Sequence, residues 1–212
     1  MDFTTTPRPA FGRAAQHLPT TPSPVVTRAA DRRLREAATA AALLSDLPAP
    51  GEAVHALMTG HYDLGQVVTA TVNRTACRHL RIATLCYSKR NAADLLGVLE
   101  GRAADPLRLT LLVSSFFRSH NKELHEWFAG QLDAHPTARM AAARSHCKVA
   151  CFDLGPGDGL VFEGSANLRT NGNREQLTAT RDRGLHDWHA AWIDALVTTD
   201  GEVHEDRTRR PR

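Results

Sequence analysis

The chain has 212 residues, 42% of them hydrophobic and 23% charged, with a formal net charge of +3. That balance suits a soluble globular chain with one α/β domain and a tail, and no run approaches the apolar length of a membrane span. The basic excess is nearly all arginine, since Lys89, Lys122 and Lys148 are the three lysines; it favours a polyanionic partner such as nucleic acid, and a solvated basic surface explains it about as well.

Residues 1–27 are rich in Thr, Pro, Ser and Arg without periodicity and read as a disordered tail. The opening Thr4-Thr5-Thr6-Pro7-Arg8 faintly resembles a transit peptide, but Asp2 and the prolines weigh against that, and nothing there matches a secretory signal. Leu34, Ala38, Ala41 and Leu44 at helical spacing predict an amphipathic helix over 28–45. Pro48-Ala49-Pro50-Gly51 ends it, and a short helix over 52–58 follows, closed by Gly60, so that 28–60 reads as a helical N-terminal arm.

From residue 61 to about 200 the pattern is α/β. Strands are expected over 80–87 and 107–113, helices over 91–99 and 120–132, and a hairpin-like pair over 141–152 and 160–165 joined by Gly155-Pro156-Gly157-Asp158-Gly159. A further strand over 175–180, a closing helix over 186–196 and a charged tail over 201–212 complete the reading. The alternation predicts a mixed, largely parallel sheet flanked by helices on both faces. Cys77, Cys86, Cys147 and Cys151 lack paired spacing and read as reduced, cytoplasmic thiols; a metal site from Cys147, Cys151 and a histidine is weak, because i and i+4 on a strand lie too far apart to chelate.

One stretch specifies a chemistry. His146 and Lys148, two apart in a β-prone run, are expected on one face of a strand, and Ser165 and Asn167 repeat the spacing after the next run. An imidazole, a fixed positive charge and two neutral hydrogen-bonding groups suit a phosphodiester: the imidazole can attack phosphorus while Lys148, Ser165 and Asn167 hold the non-bridging oxygens. Asp153, on the opposite strand face, is expected to brace the strand or its following turn instead. His120-Asn121-Lys122 repeats the His-x-Lys pattern but lacks both the aspartate and the Gly-Ser-x-Asn; it is expected to open a helix. His186, Trp188, His189 and Trp192 read as faces of the final helix.

His146-x-Lys148-x(4)-Asp153 followed by Gly164-Ser165-x-Asn167 resembles the signature of the phospholipase D superfamily, closely over His146 to Gln176. The resemblance implies a phospholipase D-like half-domain, a phosphohistidine intermediate and no metal or other cofactor. It also implies that Glu175, in Asn171-Gly172-Asn173-Arg174-Glu175-Gln176, orients His146 through Nδ1. Two features depart from the family pattern: the gap from Asn167 to Glu175 is shorter, and Gln176 stands where asparagine is usual. Arg169 and Arg174 are equally good as phosphate contacts or surface charge.

A single motif copy offers one histidine, whereas attack and leaving-group protonation need two groups on opposite sides of phosphorus. Single-copy members close this gap as two-fold dimers, so the resemblance implies a homodimer with a shared site. Short single-copy members are mostly nucleases, and phage-type proteins carry a similar run, which favours nucleic acid as substrate. A nucleic-acid-binding module with a weakly active site is one rival. A phospholipid-directed phosphodiesterase is the other, disfavoured because no interfacial helix with a basic face is visible and no membrane partner is expected.

Overall fold

The computed structural model describes residues 31–37, 39–45, 47–59, 62–169 and 173–208, with backbone alone for 31–37 and 199–208. The tail expected over 1–27 and the end of the charged C-terminal tail lie outside the described residues. In chain order the elements are β1 (Asp31–Ala37), α1 (Ala40–Leu44), β2 (Glu52–Met58), α2 (Leu64–Arg74), β3 (His79–Thr84), α3 (Lys89–Gly101) and β4 (Arg108–Ser114). There follow α4 (Ser115–His120), α5 (Lys122–Leu132), β5 (Ala138–Ala143), β6 (Val149–Gly155), β7 (Asp158–Gly164), β8 (Glu175–Arg181) and α6 (Arg183–Thr208).

All eight strands form one mixed sheet in the order β1-β2-β8-β7-β6-β3-β4-β5. The expectation of a largely parallel sheet needs correction: β1–β2, β3–β4 and β4–β5 are parallel, while the other four pairings are antiparallel. The reason lies in the connections. Helical crossovers separate the parallel neighbours, whereas β6 turns directly into β7 through Gly155 and Gly157, at φ 121° and 75°, a left-handed backbone that suits glycine. Helices do cover both faces. Leu80, Ile82, Leu109, Leu111, Phe152 and Phe162 point into a large core shared with α1 to α5. The alternate residues Ala83, Leu112, Val149, Cys151 and Val161 meet Ile193 and Val197 of α6 on the other face.

The helical N-terminal arm is the second correction. Residues 31–37 and 52–58 are strands, paired in parallel with each other, and β2 also pairs with β8, so this section extends the sheet. The helical spacing across 34–44 is broken at Thr39, whose extended backbone (φ −141°, ψ 156°) and hydroxyl, accepting from Ala42 N–H, start a separate short helix. In β2 the residues Val54, Ala56 and Met58 alternate into the core. Long-range pairing outweighs the helix propensity of alanine and leucine in both segments. At the C-terminal end α6 runs on to Thr208, through most of the expected charged tail. Among the described residues no helix is long and apolar enough to cross a membrane.

Candidate active site

The run expected as one strand over 141–152 is two, β5 and β6, and His146 and Lys148 stand in the loop 144–148 between them. Strand parity therefore does not set their side chains. Local contacts do: Lys148 Nζ donates to His146 O at 2.8 Å and lies 3.1 Å from His146 Nδ1. An ammonium has no lone pair, so Nδ1 is the acceptor, and in the neutral ring the proton sits on Nε2. His146 is exposed and Lys148 half-buried.

The sheet register brings the remaining residues to the same edge. Val149, at the start of β6, lies opposite Ala83 near the end of β3 and opposite Glu163 near the end of β7. Gly164 N–H donates to Lys148 O at 3.2 Å. Met58, ending β2, faces Glu175, starting β8. The loop 144–148 and the segment 165–169 thus emerge side by side where β2, β3, β4 and β7 end, the end of an α/β sheet where ligands bind.

Ser165 is fixed from three sides. Its hydroxyl donates to Glu175 Oε2 and accepts Gln176 N–H at 3.0 Å, and its own N–H donates to Gln176 O at 3.1 Å. The glycine before it has a packing reason: a Cβ on Gly164 would stand 2.1 Å from Gln176 O, inside the β8 backbone. Asn167 O accepts Leu64 N–H at 3.3 Å, at the start of α2, while its buried side-chain Oδ1 has no hydrogen-bond partner among the described residues. A cavity of about 10 Å³ lined by Met58, Tyr62, Asp63, Asn167, Arg169 and Glu175 adjoins it, the room of a single water. Leu168 ties the loop down, bridging Tyr87 and accepting Ser88 N–H at 3.1 Å.

The structure thus gathers His146, Lys148, Ser165, Asn167 and Glu175 at one sheet edge. It does not seat the Glu175 carboxylate on the His146 ring: that carboxylate takes the Ser165 hydroxyl, and the imidazole meets Lys148. Asp153 stands away from this group at the far end of β6, accepting Gly155 N–H at 3.0 Å and pairing with Arg183 at 3.3 Å, a bracing role as its strand face predicts. His120 closes α4 and Lys122 opens α5, with Asn121 as the break, so this second His-x-Lys straddles two helices and does not simply open one. Cys147 is exposed and Cys151 buried, on opposite sides of the strand start. Burial pushes the Cys86 thiol up, and Arg169 and Lys148 both lie close enough to pull it back.

A buried polar network beneath the site escaped the sequence reading. Asp63 caps α2 in a capping box with Gln66, Ser88 caps α3 in a capping box with Asn91, and Asn91 Nδ2 donates to Asp63 Oδ1 at 3.0 Å. Asp63 and Asn91 are both buried. The paired spacings Asp63-x-x-Gln66 and Ser88-x-x-Asn91 are the signal that could have found the two helix starts. Together they aim two helix N-termini at the 165–168 loop, where the partial positive charge favours an anion.

No family model matches the chain, and no curated protein matches it. Among solved structures it is similar to polyphosphate kinase from Porphyromonas gingivalis, with a TM-score of 0.49 and 14% identity. That likeness covers 92% of this chain, which spans 32% of the length of the kinase chain.

Proposed function

We propose that this protein is a phospholipase D-like, metal-independent phosphodiesterase acting on nucleic acid, with His146 as nucleophile in a site shared by two subunits. One observation carries the reading. His146, Lys148, Ser165 and Asn167, drawn from two separate loops, are brought to one sheet edge, with Lys148 against the imidazole. In this reading Lys148, the Asn167 amide and Ser165, its hydroxyl turned from Glu175, bind the non-bridging oxygens; moving the ammonium onto phosphate frees His146 Nδ1, which takes up the ring proton as Nε2 gives it to solvent, leaving a lone pair on Nε2. Nε2 then attacks phosphorus, forming an N–P bond as the bond to the leaving oxygen breaks. The partner subunit's His146 gives that oxygen its proton. Water next attacks the phosphohistidine, the same partner ring takes the water's proton, and the N–P bond breaks to restore His146. His146 is exposed at the edge, as a ring that must meet its symmetry mate would be.

The specific test is cleavage of DNA, RNA and bis(p-nitrophenyl) phosphate in excess chelator, with wild type, His146→Ala and Lys148→Ala side by side. Chelator-resistant cleavage lost in both variants supports the proposal; cleavage that needs a divalent ion, or that survives His146→Ala, overturns it. A second reading, a nucleic-acid-binding module with a weakly active site, is favoured by the Glu175 carboxylate resting on Ser165 and away from the imidazole. Salt-dependent DNA affinity that His146→Ala leaves unchanged, without cleavage, would decide for it.

A further inference from the structure

At the other end of β3, on the α6 face of the sheet, lies a cavity of about 360 Å³ that the phosphodiesterase reading does not use. Its walls follow from the register. Arg81 on β3 lies beside Thr110 on β4, which lies beside Arg139 on β5, and His79 and Arg108 form the neighbouring row. Residues i and i+2 share a strand face, so all five point toward α6, where Asp194 closes the cavity.

The chemistry of these walls is unusual for the interior of a sheet. Arg81 is 9% exposed and sits opposite Cys151 in the adjacent strand, yet it carries a full positive charge. Its Nε donates to both oxygens of Asp194, at 3.0 and 2.9 Å, but its buried Nη1 has no partner among the described residues. His79 is 6% exposed; its Nε2 meets Thr110 Oγ1 at 2.9 Å, and its buried Nδ1 is likewise unpartnered. A buried polar atom without a partner is costly, and both residues that carry one line this space. Arg108 and Arg139 are exposed at its rim, so three guanidiniums face one carboxylate among the described residues. A clamp between β3 and α6 requires the Arg81–Asp194 pair alone; it does not require the other two arginines or the open space.

The structure assigns this cavity as a binding site for a phosphate monoester, distinct from the candidate active site. Arginine forks match the paired oxygens of phosphate, a dianion balances the surplus charge, and the neutral imidazole bonded to the Thr110 hydroxyl leaves one uncharged donor between them. The organic part has a place as well. A second cavity of about 510 Å³, bordered by Leu132, Asp133, His135 and Met140, adjoins the first and shares Pro136, Arg139, Val197 and Thr198 with it.

The test is calorimetric titration of the full chain carrying His146→Ala and Lys148→Ala, which removes phosphate binding at the candidate active site, with inorganic phosphate and then adenosine monophosphate as probes. Saturable binding of one anion per chain is expected, with the monoester tighter than free phosphate. Arg108→Ala and Arg139→Ala, both at exposed positions that leave the fold intact, should each weaken it on the order of tenfold. Phosphate binding as tight as that of the monoester keeps the phosphate-group site and assigns it to the free anion. Heats no larger than those of chloride at equal ionic strength, or affinity unchanged in the Arg108→Ala, Arg139→Ala double variant, would overturn the assignment.

Discussion

The Lys148 ammonium stands 3.1 Å from His146 Nδ1, closing off the ring nitrogen that an orienting carboxylate would otherwise occupy. The free protein therefore holds the Nε2–H tautomer, the form of the proton donor rather than of the attacking ring. Long-range proton–nitrogen correlation spectra of histidine-labelled protein should show Nε2–H at His146 in wild type. In Lys148→Met the preference should be lost, and chelator-resistant cleavage should fall by at least about a hundredfold, the scale of removing one fixed charge from a transition state. An unchanged tautomer pattern in the variant would show that Lys148 does not set it.

The Gly164–Ser165 corner makes a sharper structural prediction. A methyl group on Gly164 would collide with backbone rather than with a movable side chain, so Gly164→Ala must push β7 and β8 apart. The expected cost is about 1–3 kcal/mol in urea unfolding. Ser165→Ala leaves the Gln176 N–H without its hydroxyl acceptor at a half-exposed position and should cost only about 1 kcal/mol. The order of the two variants, glycine worse than serine, is the result to check.

Shared catalysis predicts a particular pattern of complementation. Sedimentation equilibrium should give twice the chain mass. Mixed dimers of wild type and His146→Ala should be far less active than half of wild type, because every mixed site lacks one of its two rings. An active monomer would remove the shared-site mechanism.

Stability should depend on pH through His79. Burial, with Arg81 and Arg108 adding to it, lowers this imidazole to about 4 from an ordinary value of 6.5. The folded state therefore keeps the ring neutral while the unfolded chain binds a proton below about 6.5. Stability is full above that value and falls as the pH drops toward 4, by up to roughly 3 kcal/mol in all from this group. Unfolding free energies of wild type and His79→Gln measured across that window should converge as the pH falls. A parallel pair of curves would refute the link.

Where sequence reading succeeded, local pattern and tertiary outcome agreed. β3 and β4 are buried strands, α3 carries its own caps, and β8 begins at Glu175 as the run Glu175–Thr180 predicts. It failed where pairing across the chain decided the outcome. Nothing near Asp31–Ala37 marks it as a strand; its partner β2 does, and β2 itself is held by β8. The motif residues could be named from their spacing, but not the contact each would make. Lys148 turns back onto its own loop, and Glu175 meets Ser165 ten positions away rather than a ring on another loop. Likewise the row Arg81, Thr110, Arg139 is invisible in one dimension, since each residue alone reads as an ordinary strand position.

The pairing of β2 with β8 has a consequence for how the molecule is made. His55 Nδ1 and Thr178 Oγ1, 3.1 Å apart in the sheet, are separated by 123 positions along the chain. While the protein emerges from the ribosome, β2 has β1 on one side and nothing on the other until residues 175–181 have been synthesised. Its bare hydrogen-bonding edge is then open to neighbouring nascent chains. The rim that gathers the two loops is completed only by the last strand, so translation stopping before residue 175 yields a polypeptide with an unsealed sheet, a natural client for chaperones.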